Sequence, residues 1–448
     1  MKHVSAASFQ SWAGWVANLA VLGCILLAPQ MGYAGMYAGQ AGSAMDDTAV
    51  AAISGDGNTI VGTGIIDGYE HAFRWTEKGG MQYLGVPGKE SVSTAAAVSN
   101  DGSVVVGYEE RYPAGGGSND YAFLWTEKGG MKYLDVLKGM LESKGSSASR
   151  KESPWREGRI DRATAVSSDG NVVVGWSGTN ENMHAFRWTE KGGMETLGML
   201  TGGKTAAAGA VSSDGSVVVG AADTGNWTHA FRWTKADGMK DLGALGSSVP
   251  HTVDGEVVTD GNISAAAAAS DDGNIVAGAS SVEGGDSHVF HWTKASGMKD
   301  IGTLGGTRCE MAALSGDGRV VVGNSLTKDD KSHAFRWSET SGMKDLGTLG
   351  GKKSEADAVS KDGKVVAGES DVKSGFSHAF RWTEADGMKD LGTLGGESSV
   401  IAAISDDGSV FVGESRIKNG AVHLFRWTQR TGMADLGTLA SQAKSSVK

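Results

Sequence analysis

Eight aspartates, Asp56, Asp101, Asp169, Asp214, Asp272, Asp317, Asp362 and Asp407, each precede a glycine in a Ser-x-Asp-Gly motif. Seven histidines, His71, His184, His229, His288, His333, His378 and His423, each head a His-x-Phe-x-Trp run. Carboxylates in such numbers could hold calcium, with Asp271-Asp272 and Asp406-Asp407 as the densest pairs. Imidazoles could hold zinc. The spacing argues against both. Zinc needs its ligands about 2 Å from one centre, whereas residues copied once per repeat fall on separate sheets about 10 Å apart. No loop reaches the ligand density of an EF-hand. There is also no Gly-x-x-x-x-Gly-Lys-Ser/Thr phosphate loop, no Gly-x-Ser-x-Gly elbow and no His-Glu-x-x-His pair. No metal, no cofactor and no catalytic residue is predicted. The Asp and Ser side chains are expected to stabilise turns instead.

The elements that carry these residues follow from the repeat. Successive aspartates are 45, 68, 45, 58, 45, 45 and 45 residues apart. Such a period means one supersecondary unit copied eight times. In the sixth copy, Cys309 to Leu314 is short and apolar, and Ser315-Gly316-Asp317-Gly318 turns the chain into Arg319-Val320-Val321-Val322-Gly323. A polar stretch leads to His333-Ala334-Phe335-Arg336-Trp337, and a second turn leads to Met343 through Leu349. These runs are too short for helices and rich in valine and aromatics, which reads as four strands, a to d. Asp-Gly between two such runs is a strong hairpin signal, because glycine tolerates the positive φ of the turn. The predicted fold is all-β: a β-propeller of eight four-stranded blades of about 45 residues. Alternation puts His, Phe and Trp of strand c on one face and Ala and Arg on the other, where Arg is placed to stack on an aromatic of the next blade. Two closures are open. The ring closes by blade packing, or the last strand d joins the first blade and clasps the ends.

The His-Ala-Phe-Arg-Trp-Thr run followed by Gly-Met-Lys-Asp-Leu-Gly-Thr-Leu-Gly-Gly, as in residues 378–396, resembles the HAF family of bacterial extracellular repeats. The match covers nearly nine tenths of the chain and is strongest in the last three copies. It departs at Tyr121 with Leu124, at Val289 with His291, and at Leu424. The resemblance implies a propeller-like array and an extracellular location rather than a mechanism. Similar repeats occur in autotransporter passengers, which are followed by an outer-membrane barrel; none follows here up to Lys448, so that route is expected only if the chain is a fragment of a longer protein.

Composition narrows the partners. The net charge of -11 disfavours nucleic acid, which requires a basic face. Residues 1–34 read as a secretory signal: Lys2 and His3, the apolar run Trp15 to Ala28, then Gly32-Tyr33-Ala34 as the cleavage site. The run is short for a membrane span. Val21-Leu22-Gly23-Cys24 loosely resembles a lipoprotein box, but the apolar run continues past it. Membrane contact is thus expected only through an uncleaved signal or a lipid anchor. Residues 35–47 lead into the array at 48–440, and 441–448 form a tail. With the signal removed, Cys309 has no disulfide partner and is expected to be a buried small hydrophobe.

Repeat-breaking residues are the better functional candidates. Turns a→b and c→d lie at one end of a blade and are uniform. Connections b→c and d→a lie at the other end and carry the variation, including insertions within Val136–Arg162 and Gly246–Ile263. Insertions gathered on one face often mark a binding face. That face is expected to present Tyr108, Tyr112, Trp155, Trp176 and Trp227, the residue types that anchor interfaces and sugar sites. The first insertion adds a basic patch around Arg150, Lys151 and Arg156. The expected function is binding or scaffolding, adhesin-like, toward an extracellular protein or polysaccharide. The expected location is secreted or cell-surface, with the periplasm as alternative. Two other readings stand beside it: a propeller-type carbohydrate hydrolase or lyase, whose mark would be two carboxylates converging at the channel mouth, and a purely structural envelope protein.

Overall fold

The computed structural model describes residues 48–438 except 67, 86–90, 113–117, 135–158, 180–181, 247–250, 254–255 and 259–261. Blade 1 sets the pattern. Strand a is Thr48–Ile53, b is Thr59–Ile66, c is Tyr69–Thr76 and d is Gly80–Tyr83, each antiparallel to the next. Blade 8 repeats it over Gly395–Ile404, Val410–Ile417, Val422–Thr428 and Gly432–Gly437. Strand a of every blade touches strand a of both neighbours in an unbroken cycle, so the sheets stand radially about one axis. The chain is an eight-bladed β-propeller. A hairpin, His251–Val253 with Glu256–Val258, lies in the second insertion. Blades 2 and 3 are also joined by one parallel pair, Asp120 with Ile160.

Side-chain size explains the radial order. Strand a is alanine-rich, as in Ala206-Ala207-Ala208 of blade 4 and Ala265 to Ala269 of blade 5. Eight strands converging on an axis leave little width, and larger side chains would hold them apart. Strand c lies further out and is buried on both faces. All eight Phe residues of its motif, Phe73 through Phe425, are fully buried. Phe73 and Trp75 pack on Val410, Val412 and Leu424 of blade 8, while Ala72 on the other face packs with Ala95, Val105 and Phe123 of blade 2. The face alternation expected from sequence is therefore the inter-blade packing rule. Arg74 stands 5.6 Å from the ring of Trp125 in the next blade, as predicted. Arg232 extends the role differently, its Nε donating to the Gly273 carbonyl of the next blade at 2.9 Å.

The Ser-x-Asp-Gly turn is architectural. In blade 1 the Ser54 hydroxyl donates to Asp56 Oδ1 at 2.6 Å, and the Asn58 N–H donates to the same oxygen at 3.0 Å. Ser54 Oγ then accepts the Thr59 N–H at 2.9 Å, which starts strand b. Closure uses blade packing and a turn-to-turn backbone bond, with no strand exchanged. Among the described residues, Gly432–Gly437 forms a ladder only with its own strand c, and Thr48–Ile53 only with its own strand b. This rules out the strand-clasp arrangement.

Candidate functional site

The a→b turns meet around the axis. Residue x of each Ser-x-Asp-Gly motif donates its backbone N–H to the carbonyl of its counterpart in the next blade, through Gly55, Asn100, Ser168, Ser213, Asp271, Gly316, Lys361 and Asp406, at 2.8–3.0 Å. The bonds form a closed girdle at one end of the channel. Its side chains are polar and unequal. Lys361 Nζ reaches Asp271 Oδ2 at 3.0 Å and Asp406 Oδ2 at 3.7 Å, and the Ser213 hydroxyl donates to Asp271. Gly316 makes this reach possible, because a Cβ there would lie 2.6 Å from Lys361 Cγ. A mouth of ≈ 700 Å³ opens here, lined by Asp271, Asp272, Gly316, Asp317, Lys361, Asp362, Asp406 and Asp407. Two carboxylates do converge at this mouth, but on one ammonium. Burial alone would lower the Lys361 pKa, yet the contacts with Asp271 and Asp406 raise it. The arrangement is a charge clamp.

The opposite end has a different character. Among the described residues, the exposed large hydrophobics are Tyr69, Tyr112 and Phe376, at 40%, 50% and 42% exposure. All three belong to b→c connections or their edges. Tyr69 opens strand c of blade 1, Tyr112 follows strand b of blade 2 (Val104–Arg111), and Phe376 precedes strand c of blade 7 (Ser377–Thr383). Glu110, Asp120 and Glu70 lie near Tyr112; slight burial and then Glu110 raise its phenol pKa. Sequence reasoning found Tyr112 and missed Tyr69 and Phe376. The available signal was an aromatic directly after a turn glycine, Gly68-Tyr69 and Gly375-Phe376.

The other predicted aromatics divide. Trp176 is 5% exposed, inside strand b of blade 3 (Val172–Thr179), and is no surface anchor. Tyr108 also lies within its strand b, with the Arg162 guanidinium 4.1 Å above its ring. Both corrections share a cause: strand b runs past the glycine that recurs in each repeat, so these residues are in the sheet rather than in the loop. Trp227 is half-buried in a b→c turn, its carbonyl accepting the Thr224 N–H at 2.8 Å. Trp155, Arg150, Lys151 and Arg156 lie outside the described residues. The basic residues that re-enter from the insertion are used internally. Arg159 pairs with Asp161 and Arg162 with Asp120. Arg111 pairs with Glu109 at 3.0 Å and stands over Tyr133 at 4.7 Å. Burial, then the hydrogen bond to Glu109, pushes the Tyr133 phenol up to about 12.

Six of the seven repeated histidines have partners within their own blades. His333 Nδ1 lies 2.9 Å from Asp345 Oδ2, and Asp345 Oδ1 accepts the Gly347 N–H at 2.8 Å. Blades 4, 5, 7 and 8 repeat the pair as His229–Asp241, His288–Asp300, His378–Asp390 and His423–Asp435. In blade 1 the position opposite Phe73 holds Tyr83, and His71 meets its ring edge-on at 4.8 Å. The His of strand c and the Asp of strand d are thus one structural unit. Among the described residues, no three His, Cys, Asp or Glu side chains are placed to hold a metal ion.

No protein-family model matches the chain, and no curated protein matches it. Solved structures do. Dipeptidyl peptidase 4 from Porphyromonas gingivalis is similar at 12% identity and a TM-score of 0.51, over 93% of this chain and 61% of that one. The β-propeller domain of the trilobed protease from Pyrococcus furiosus, described as having an open velcro topology, is similar at 9% identity and a TM-score of 0.46, over 78% and 98%. TolB from Acinetobacter baumannii is similar at 14% identity and a TM-score of 0.36, over 74% and 79%. The chain spans about three fifths of the Porphyromonas enzyme. At this identity the likeness is one of fold, and the fold is the β-propeller.

Proposed function

We propose that the chain is an exported bacterial propeller of the HAF-repeat kind, secreted or displayed at the cell surface. It acts as a binding or scaffold module. The b→c and d→a end recognises an extracellular protein or polysaccharide. The observation that carries this reading is the segregation of the exposed aromatics. Tyr69, Tyr112 and Phe376 all sit at that end, while the opposite end is a girdle of hydrogen-bonded turns and clamped charge. Exposed Tyr and Phe give large rigid contact area at low entropic cost.

The test uses the full chain on arrays of envelope polysaccharides and extracellular-matrix proteins. Tyr69→Ala with Tyr112→Ala is expected to weaken the captured partner at least tenfold, as losing an aromatic anchor does. Asn171→Ala, in the a→b turn of blade 3, is expected to leave it unchanged. Equal binding by both variants removes the aromatic end as the site. Neutralising Arg150, Lys151 and Arg156 is expected to weaken an anionic partner at low salt only. Protease shaving of intact cells checks the location; protection of the chain inside the envelope contradicts a surface role.

A further inference from the structure

Strand a of blade 7 (Gly350–Val359) sets Glu355 directly opposite Glu369 of strand b (Val365–Val372). Cross-strand partners hold their Cβ atoms about 4.5–5.5 Å apart, and like charges there are destabilising. The same register position pairs Ala207 with Ala221, Ala265 with Ala279 and Glu310 with Asn324 in other blades. Blade 7 sets acid against acid. Asp357 adds a third carboxyl at the strand a bulge, where other blades place Ala312 and Ala402. Burial, then Glu369 and Glu355, pushes the Asp357 carboxyl well above the ordinary range.

Glu369 is 7% exposed, and its Oε2 has no hydrogen-bond partner; Glu355 Oε2 has none either. Burial, then Glu355, Asp371 and Glu414, pushes the Glu369 carboxyl up to about 8. The charged groups that face it are therefore acidic on every side: strand a opposite, its own strand, and strand b of blade 8. Of the lysines in this blade, Lys352, Lys353, Lys373 and Lys389 are exposed, Lys364 pairs with Asp362, and Lys361 is held by Asp271 and Asp406. A buried carboxylate without a cation neutralises by taking a proton. The position also bridges blades: in blade 6 its counterpart Asn324 accepts the Ala356 N–H of blade 7 at 2.9 Å.

We propose that Glu369, set against Glu355 and Asp357, keeps its proton at neutral pH and acts as a pH-operated latch in the wall between blades 7 and 8. Release of that proton to solvent puts a further negative charge into an acidic wall. Blade 8 then loosens, and blade 8 is the one that closes the ring on blade 1.

The sign is fixed by the raised folded pKa. The folded chain keeps a proton that the unfolded chain loses at ordinary carboxylate pH. The stabilisation is complete below that range, declines as pH rises, and is gone above about 8. The experiment follows hydrogen exchange of residues 395–404 and 410–417 in the full chain from pH 5 to 9, corrected for intrinsic exchange, beside denaturant unfolding. For the wild type, the opening constant is expected to rise by up to tenfold per pH unit for one proton. Glu369→Gln copies the protonated state and is expected to flatten that rise, leaving blade 8 better protected than wild type at pH 9. Other titrating groups are common to both proteins, so the difference between them is the readout. Parallel slopes in wild type and Glu369→Gln overturn the proposal. Should that variant not fold, Glu355→Gln removes the carboxyl set opposite Glu369 and must flatten the same rise. Infrared difference spectra at pH 7 add an independent check: a protonated-carboxyl band that is weaker in the variant than in wild type supports the latch, and equal bands in the two proteins refute it.

Discussion

Asp406 donates its backbone N–H to the Gly55 carbonyl at 2.9 Å, and this bond completes the girdle between the last blade and the first. All eight girdle bonds run in one direction around the axis. The ends of the array are thus joined by a turn-to-turn bond and by a packed face, Phe73 and Trp75 against Val410, Val412 and Leu424. No strand is exchanged. The stability of the ring therefore depends on repeated small contacts, and the Asp-Gly turns supply one of them in each blade.

Gly57 tests that dependence. Its φ is +71°, and a Cβ there would lie 2.7 Å from Val410 Cγ2 of blade 8. Gly130, in a c→d turn, has a φ of +63° with nothing within 4 Å. Gly130→Ala therefore carries backbone strain alone, about 1–2 kcal/mol. Gly57→Ala adds a clash across the closing interface and is expected to cost about 2–4 kcal/mol. Urea unfolding curves decide the point; equal losses would mean that the turn does not touch the ring seam.

The turn aspartates predict the acid limit. Serine hydroxyls and backbone N–H groups hold Asp101, Asp214 and Asp272 below the ordinary carboxylate range. Lys364, with Ser360, brings Asp362 down to about 2. A depressed folded pKa stabilises above the ordinary carboxylate pKa and is lost as pH falls through the folded value. Far-UV circular dichroism is expected to stay constant down to about pH 4 and to collapse toward pH 2. Ser360→Ala should move that collapse to higher pH. An unchanged acid midpoint would mean that the hydroxyl does not hold the carboxylate.

The Lys361 clamp is expected to matter less than its position suggests. Its charged atoms and both carboxylates are about 40% exposed, and exposed ion pairs contribute about 0.2–1 kcal/mol. Lys361→Met should cost no more than that, with the loss shrinking as salt rises. The girdle itself is backbone and should survive. A loss that is large and independent of salt would show the clamp to be a structural keystone.

What could be read without coordinates was local or periodic. The Asp-Gly turns, the strand lengths and the two-faced strand c follow from neighbouring residues, and the 45-residue period gives the number of blades. The Lys361 clamp was not legible. Lys361 and Asp271 are on blades 7 and 5, and only the closed ring brings them together. Trp176 was misplaced because a strand end and a loop start look alike when glycine and serine follow. The Glu355–Glu369 pair lay between these cases: aligning the repeats exposes two acids where blades 4 and 5 carry alanines, but the burial of Glu369 depends on how blade 8 packs.

Cys309 was legible and yields the sharpest prediction. Its sulfur accepts the Val289 N–H of blade 5 at 3.2 Å and donates to the Gly302 carbonyl at 3.2 Å. In the next two blades Ser354 and Ser399 do the same work, accepting the Ala334 and Ala379 N–H groups at 2.9 Å and donating to Gly347 and Gly392 at 2.6 Å. The three positions are spaced at the 45-residue period. Cys309 is therefore a serine position filled by a thiol, and burial pushes that thiol up to about 12. Cys309→Ser is expected to change stability by less than about 1 kcal/mol, because both bonds are remade. Cys309→Ala leaves the Val289 N–H buried without a partner and should cost about 1–3 kcal/mol. The wild-type thiol should resist maleimide in the folded chain and react once denaturant opens blade 6, since a buried thiol above its usual pKa supplies little thiolate. Fast labelling of the folded chain, or a serine variant as damaged as the alanine one, would show that the sulfur does something that the serine of the other blades does not.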